Sequence, residues 1–206
     1  MTPAVIAFGD EVVEAGFTVV MPNLFGAAGA EAPGPLGMAS LVRTLCVSKE
    51  FTVFATGVTA PLADWLRSLA RDLHRELGGP GVGALGMCFT GGFALAMMVD
   101  ESVAAPVVAQ PSTPVPLGAR RAADLNLSPA DTERVVARAS AGCPVLGLRF
   151  REDGAVGTRF ATLERLLGDR FTAVEFDGPG HSTLTEQRQP EAVTAVLRFF
   201  DDRLRG

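Results

Sequence analysis

Gly83-Ala84-Leu85-Gly86-Met87-Cys88-Phe89-Thr90-Gly91-Gly92-Phe93-Ala94-Leu95-Ala96-Met97-Met98 is the stretch on which the fold of this chain turns. Gly83 to Met87 is a short apolar run suited to a buried strand, and the small and apolar residues from Gly91 onward suit a helix packed against a sheet. Between them one cysteine occupies a sharp turn. A side chain presented at such a turn needs a small residue two positions earlier, because the backbone is strained there, and small residues after it, because the helix packs close behind. Gly86 and the pair Gly91-Gly92 meet that need. The turn lifts the Cys88 sulfur to the carboxyl edge of a sheet, where the positive end of a helix favours a thiolate. The competing reading is a small buried hydrophobe, the commoner fate of a free cysteine. The placement of Cys88 favours a nucleophile, provided that the chain supplies partners for it.

Outward from this stretch, strands alternate with helices. Downstream, Val103 to Gln110 is a continuous apolar run suited to a strand covered on both faces, followed by a proline-rich loop, Pro111 to Pro116. Ser128-Pro129-Ala130-Asp131 is a capped helix start, and Gly142 ends that helix before a strand at Pro144 to Phe150. A helix over about Arg159 to Leu167, stopped by Gly168, a strand over Phe171 to Phe176 and an amphipathic helix from Pro190 to about Leu204 complete the pattern. Upstream, Thr2-Pro3 opens a helix that Gly16 stops, with Val5, Phe8 and Val12 on its buried face. Phe17 to Met21 reads as a strand, Pro22 to about Gly37 as a loop, and Met38 to Val47 as a helix, while Phe51 to Ala55 is ambiguous. Pro61 to Leu77 is an amphipathic helix with His74 half-exposed at the edge of its apolar face. The class is α/β, a three-layer arrangement with a mainly parallel sheet, in one domain over residues 1–206.

A chain of 206 residues, 48% hydrophobic and 20% charged, buries a core without staples. A net charge of −5 with no basic block argues against nucleic acid or an acidic membrane surface as partner. No stretch is apolar for long enough to span a membrane, and the N-terminus lacks the pattern of an export signal, so the predicted location is cytoplasmic. Cys46, Cys88 and Cys143 are too few and too scattered for a disulfide framework or a zinc site.

A catalytic thiol needs a base within hydrogen-bond reach and a group that orients the base. Of the two histidines, His181 lies in the loop Asp177-Gly178-Pro179-Gly180-His181-Ser182 directly after a strand, at the sheet edge where Cys88 emerges. For the orienting acid, the turn Arg151-Glu152-Asp153-Gly154 offers Asp153, preferred because the glycine after it lets the loop fold back, with Glu152 in reserve. The chain order nucleophile, acid, histidine is that of α/β-hydrolases. Arg149, Arg151 and Lys49 are possible receivers of a substrate carboxylate, or simply solvated charges.

Gly86-Met87-Cys88-Phe89, Pro144-Val145-Leu146-Gly147 leading to Glu152-Asp153, Gly178-Pro179-Gly180-His181-Ser182, and Met21-Pro22-Asn23-Leu24-Phe25-Gly26 together resemble the motifs of the dienelactone hydrolase family of α/β-hydrolases. The similarity covers nearly the whole chain. It implies an α/β-hydrolase-like fold and hydrolysis of a small ester or lactone, without metal or organic cofactor, through a thioester on Cys88. In that scheme His181 is base and acid, Asp153 holds it, and the Phe89 N–H is an oxyanion donor. The predicted partner is therefore a small-molecule substrate, and the predicted assembly a monomer or small homo-oligomer. Two departures stand out. Thr90 replaces a glycine of the family elbow, which predicts crowding between helix and strand. The chain also begins with a helix, where relatives carry earlier strands; one of these is followed by a loop that supplies a second oxyanion N–H and a glutamate touching the resting cysteine. An N-terminally truncated sheet is the expectation, and losing one oxyanion donor costs about 100- to 1000-fold in rate.

Two other functions fit parts of the pattern. Glutamine amidotransferases also pair a cysteine elbow with a histidine, but place an acid two residues after it, where this chain has Thr183. A non-catalytic binding domain that retains the fold is the remaining reading.

Overall fold

Short apolar runs bounded by glycine, proline or turn residues become the four strands of one sheet in the computed structural model, which describes residues 2–24 and 51–205. They are β1 (Val82–Met87), β2 (Val103–Ala109), β3 (Val145–Phe150) and β4 (Phe171–Phe176), arranged in the order β1-β2-β3-β4. Every pairing is parallel, so helices carry the chain back between strands. β2 and β3 are buried along nearly their whole length, whereas β1 alternates between buried and accessible positions. That contrast separates central strands covered on both faces from a strand at an edge of the sheet formed by the described residues.

Among the described residues the helices are α1 (Pro3–Glu14), α2 (Leu62–Leu77), α3 (Gly91–Met97), α4 (Ala119–Ala122), α5 (Pro129–Ser140), α6 (Arg159–Leu167) and α7 (Pro190–Leu204). On one face, Phe8 and Val12 of α1 and Val193, Val196 and Phe200 of α7 pack on Ala105, Val107 and Leu148. On the other, residues of α2, α3, α5 and α6, among them Ala70, Leu95, Val135 and Phe160, pack on Val103, Val108 and Val145. The layers are thus α/β/α, as the sequence predicts. Val103 and Ala105 face opposite layers although they are two residues apart. The register shows why: Val82 pairs with Val103 and Gly83 with Ala105, so Ala104 is the extra residue of a bulge. Each fully buried Val, Leu or Phe contributes about 1.5–3 kcal/mol, against about 0–1 kcal/mol for an exposed ion pair, so these two layers decide the fold.

Local signals hold in detail. The Thr2 hydroxyl accepts from the Val5 N–H at 3.4 Å with Pro3 in the first turn, and the Ser128 hydroxyl accepts from the Asp131 N–H at 3.1 Å with Pro129 behind it. β4, α6 and α7 have the bounds that the sequence indicates. His74 is half-exposed, with Nε2 3.1 Å from the Gly79 carbonyl oxygen.

Phe17–Met21 is the correction: it forms no strand and joins no ladder, so among the described residues regular alternation of strand and helix begins at Val82. Its apolar side chains are engaged by helices instead. The Phe17 ring meets Phe200 edge-on at 6.0 Å, the Arg205 guanidinium lies over the same ring at 4.6 Å, and Met21 packs against Gly9 of α1. The short helix α4 has no counterpart in the sequence reading. Cys46, Lys49, the helix expected over Met38 to Val47, and most of the loop from Pro22 to Gly37 lie outside the described residues. Among the described residues, no helix is long and apolar enough to cross a membrane.

Candidate functional site

Strand β1 ends at Met87, and the next residue carries the strain. Cys88 has φ +54°, a left-handed conformation that costs a non-glycine residue about 1–3 kcal/mol and persists only where its surroundings enforce it. A single 3₁₀ turn, Cys88–Thr90, then leads into α3. The bend closes so tightly that a Cβ at Gly86 would lie 2.2 Å from the Thr90 carbonyl oxygen, and one at Gly91 would lie 2.6 Å from the Pro111 Cα. Thr90, which the sequence marks as the departure in this bend, makes a specific contact there. Its hydroxyl turns back, accepting from the Met87 N–H at 3.1 Å and donating to the Met87 carbonyl at 2.9 Å. It therefore ties the turn to the strand end.

Asp153 comes from the loop after β3 and His181 from the loop after β4. His181 Nδ1 lies 2.6 Å from Asp153 Oδ2, which leaves Nε2 as the ring nitrogen available to the sulfur. Asp153 is 8% exposed, and its other oxygen, Oδ1, accepts from the Ala155 N–H at 2.9 Å. That bond, rather than Gly154, shapes the turn: Gly154 lies outside the left-handed region and a Cβ there would meet open space. Glu152 is exposed. Beneath the loop, the fully buried Arg159 donates to the carbonyls of Ala155, Val156, Asp124, Arg121 and Pro114. Burial pulls its pKa down to about 10, which leaves it charged at neutral pH.

The electrostatics of Cys88 and His181 are linked. Burial acts to raise the Cys88 pKa, but hydrogen bonding from His181 and Ser112, the charge of His181 and the Phe89 N–H together bring it below the ordinary thiol value. Hydrogen bonds to a charged group are worth about 1.5–3 kcal/mol each, so several of them outweigh the desolvation of a half-buried sulfur. The His181 pKa is raised to about 9, first by its hydrogen bond with Cys88, against the opposing effect of burial, and further by the Cys88 charge and by Asp153. Both shifts favour a proton on the imidazole and a charge on the sulfur.

Several residues that hold this arrangement carry no motif. Gln187 Oε1 accepts from the backbone N–H of both His181 and Ser182, at 2.5 and 2.9 Å, and so clamps the histidine loop. Gln110, with φ +35° and 1% exposure, accepts from the buried Thr183 hydroxyl at 2.9 Å, joining the end of β2 to the same loop. Ser112 Oγ lies 3.4 Å from Cys88 Sγ. Of the basic residues considered for a substrate carboxylate, Arg149 is paired with Glu175 and lies over the Phe160 ring at 4.4 Å, and Arg151 is paired with Asp177. Both are already matched to carboxylates of the protein. Among the described residues, no group of three or more His, Cys, Asp or Glu is arranged to hold a metal ion.

Compared with known proteins, the chain matches no protein-family model, no curated protein and no solved structure.

Proposed function

We propose that this protein is a cysteine-dependent hydrolase of a small ester or lactone, similar in mechanism to the dienelactone hydrolases and built on an α/β-hydrolase-like fold. The observation that carries the reading is the left-handed Cys88 at a strand-to-helix bend, with the hydrogen-bonded pair Asp153–His181 brought beside it from the two loops that follow β3 and β4. Chain order and roles agree with nucleophile, acid and histidine.

The Cys88 thiolate attacks the carbonyl carbon, and the new oxyanion takes a hydrogen bond from the Phe89 N–H. As the bond to the leaving oxygen breaks, the His181 imidazolium gives that oxygen its proton, and a thioester remains on Cys88. The neutral imidazole then removes a proton from water as the water oxygen attacks the thioester. Collapse of the second intermediate breaks the carbon–sulfur bond, releases the acid, and restores thiolate and imidazolium. Asp153 keeps the ring oriented throughout.

4-Nitrophenyl acetate tests this reading. One equivalent of nitrophenolate is expected as a burst before slower turnover, and Cys88→Ala abolishes it. No burst, with alkylation by iodoacetamide no faster than that of free cysteine, would contradict it. A binding domain that retains the fold is the second reading. It draws on the position of β1, which has no strand on its outer edge among the described residues, the side from which the resemblance would bring a second oxyanion donor. It predicts a modifiable thiol without turnover.

A further inference from the structure

The loop after β2 is fastened to the cysteine bend at several points. The Ser112 N–H donates to the Cys88 carbonyl at 3.0 Å, the Thr113 hydroxyl donates to the Phe89 carbonyl at 3.0 Å, and Pro111 packs against Gly91 so closely that no Cβ fits between them. On its other side, the buried Gln110–Thr183 hydrogen bond fixes the loop to the segment carrying His181. The Ser112 hydroxyl is therefore held beside the sulfur by backbone contacts that do not depend on the hydroxyl itself, with Oγ 3.4 Å from Cys88 Sγ.

We propose that Ser112 is a further catalytic residue, whose hydroxyl donates to the Cys88 thiolate and holds it in the orientation from which it attacks an acyl carbon; this rests on the reading of Cys88 as the nucleophile. A thiolate has no proton to give, so the hydroxyl is the donor. The bond is strong while charge sits on sulfur and weakens when the thioester forms, which confines its effect to the resting and attacking states. Removing it lowers the thiolate population where the thiol titrates, and leaves reactivity intact at high pH, where the thiol ionises without help.

The test is the rate of iodoacetamide alkylation of Cys88 against pH in the full chain, its Ser112→Ala and Ser112→Thr variants, with the 4-nitrophenyl acetate burst measured alongside. Ser112→Ala is expected to move the midpoint up by about 1 pH unit, one hydrogen bond to a charged group, and to converge with the parent rate at high pH. Ser112→Thr, which keeps a hydroxyl, is expected to retain the parent midpoint. A loss at every pH that Thr does not restore indicates a structural role and overturns the proposal. Coincident profiles with the burst intact overturn it too, and leave the hydrolase reading standing. A shifted profile without any burst upholds the contact with the thiolate and overturns the hydrolase reading instead.

Discussion

Cys88 and Cys143 lie at opposite ends of the sheet, the first just past the end of β1 and the second just before the start of β3. Both have cationic side chains nearby, yet their thiols shift in opposite directions. The Cys143 pKa is raised by burial, which the charges of Arg138 and Arg203 only partly offset. Those guanidiniums are engaged by backbone carbonyls, Arg138 with Val103 at 2.6 Å and Arg203 with Gly142 at 2.7 Å. The Cys143 sulfur itself faces acceptors, the carbonyls of Val103 and Ala104 at 3.6 and 3.7 Å, which favour the protonated thiol. At Cys88 the balance is reversed: Ser112 Oγ lies 3.4 Å from the sulfur, and His181, Ser112 and the Phe89 N–H together outweigh burial and lower the pKa. The difference teaches that a positive charge in the neighbourhood does not make a thiolate; hydrogen-bond donors aimed at the sulfur do.

The largest effect that sharpens the contrast is on the partner of the imidazole. Asp153→Asn leaves the loop a side-chain oxygen but removes the charge that orients His181, and turnover of an activated ester is expected to fall about a thousandfold or more; a loss below about tenfold would break the account of this pair. Next comes selectivity. In the folded chain iodoacetamide is expected to alkylate Cys88 at least about 100-fold faster than Cys143, which reacts fully only after unfolding. Equal rates, read by peptide mass, would erase the comparison. The pH dependence has a definite sign. The lowered Cys88 pKa is expected to keep its alkylation going as pH falls below the ordinary thiol range, whereas kcat/KM for an ester with a basic leaving alcohol, whose acylation step needs the His181 proton, is expected to decline on the alkaline side as His181 loses that proton near about 9. The smallest effect is at the inert thiol: Cys143→Ala is expected to cost about 1 kcal/mol in denaturant unfolding and to leave the Cys88 alkylation rate unchanged.

What was legible in the sequence follows a physical rule. α6 and α7 are readable because one bound of each coincides with a glycine stop or a proline start, at Gly168 and Pro190, and β4 because its apolar run lies between a helix stop and a glycine-rich loop. The cysteine bend is readable because close backbone approach leaves its mark as glycine, at Gly86 and Gly91. Phe17–Met21 misleads because a short apolar run states only that side chains are to be buried; here the burying partners are Phe200 and α1 rather than a neighbouring strand. Asp153 and His181 emerge from position at strand ends. Ser112 and the Gln110–Thr183 pair do not, since each works through a hydrogen bond between loops distant in sequence, and Gln187, which clamps its own loop through two backbone N–H groups, likewise leaves no periodicity or spacing behind. The contact of Thr90 is hidden for a similar reason: its hydroxyl finds the Met87 backbone, which residue volume alone does not reveal.

The most direct test of the central claim is the location of the acyl group. The native chain is mixed with 4-nitrophenyl acetate, quenched in acid during the burst, digested and weighed peptide by peptide. One acetyl group on the peptide containing Cys88, decaying at the rate of steady-state turnover, is the predicted result. Acetyl on the Cys143 peptide, or none on either while nitrophenolate is released, would contradict it.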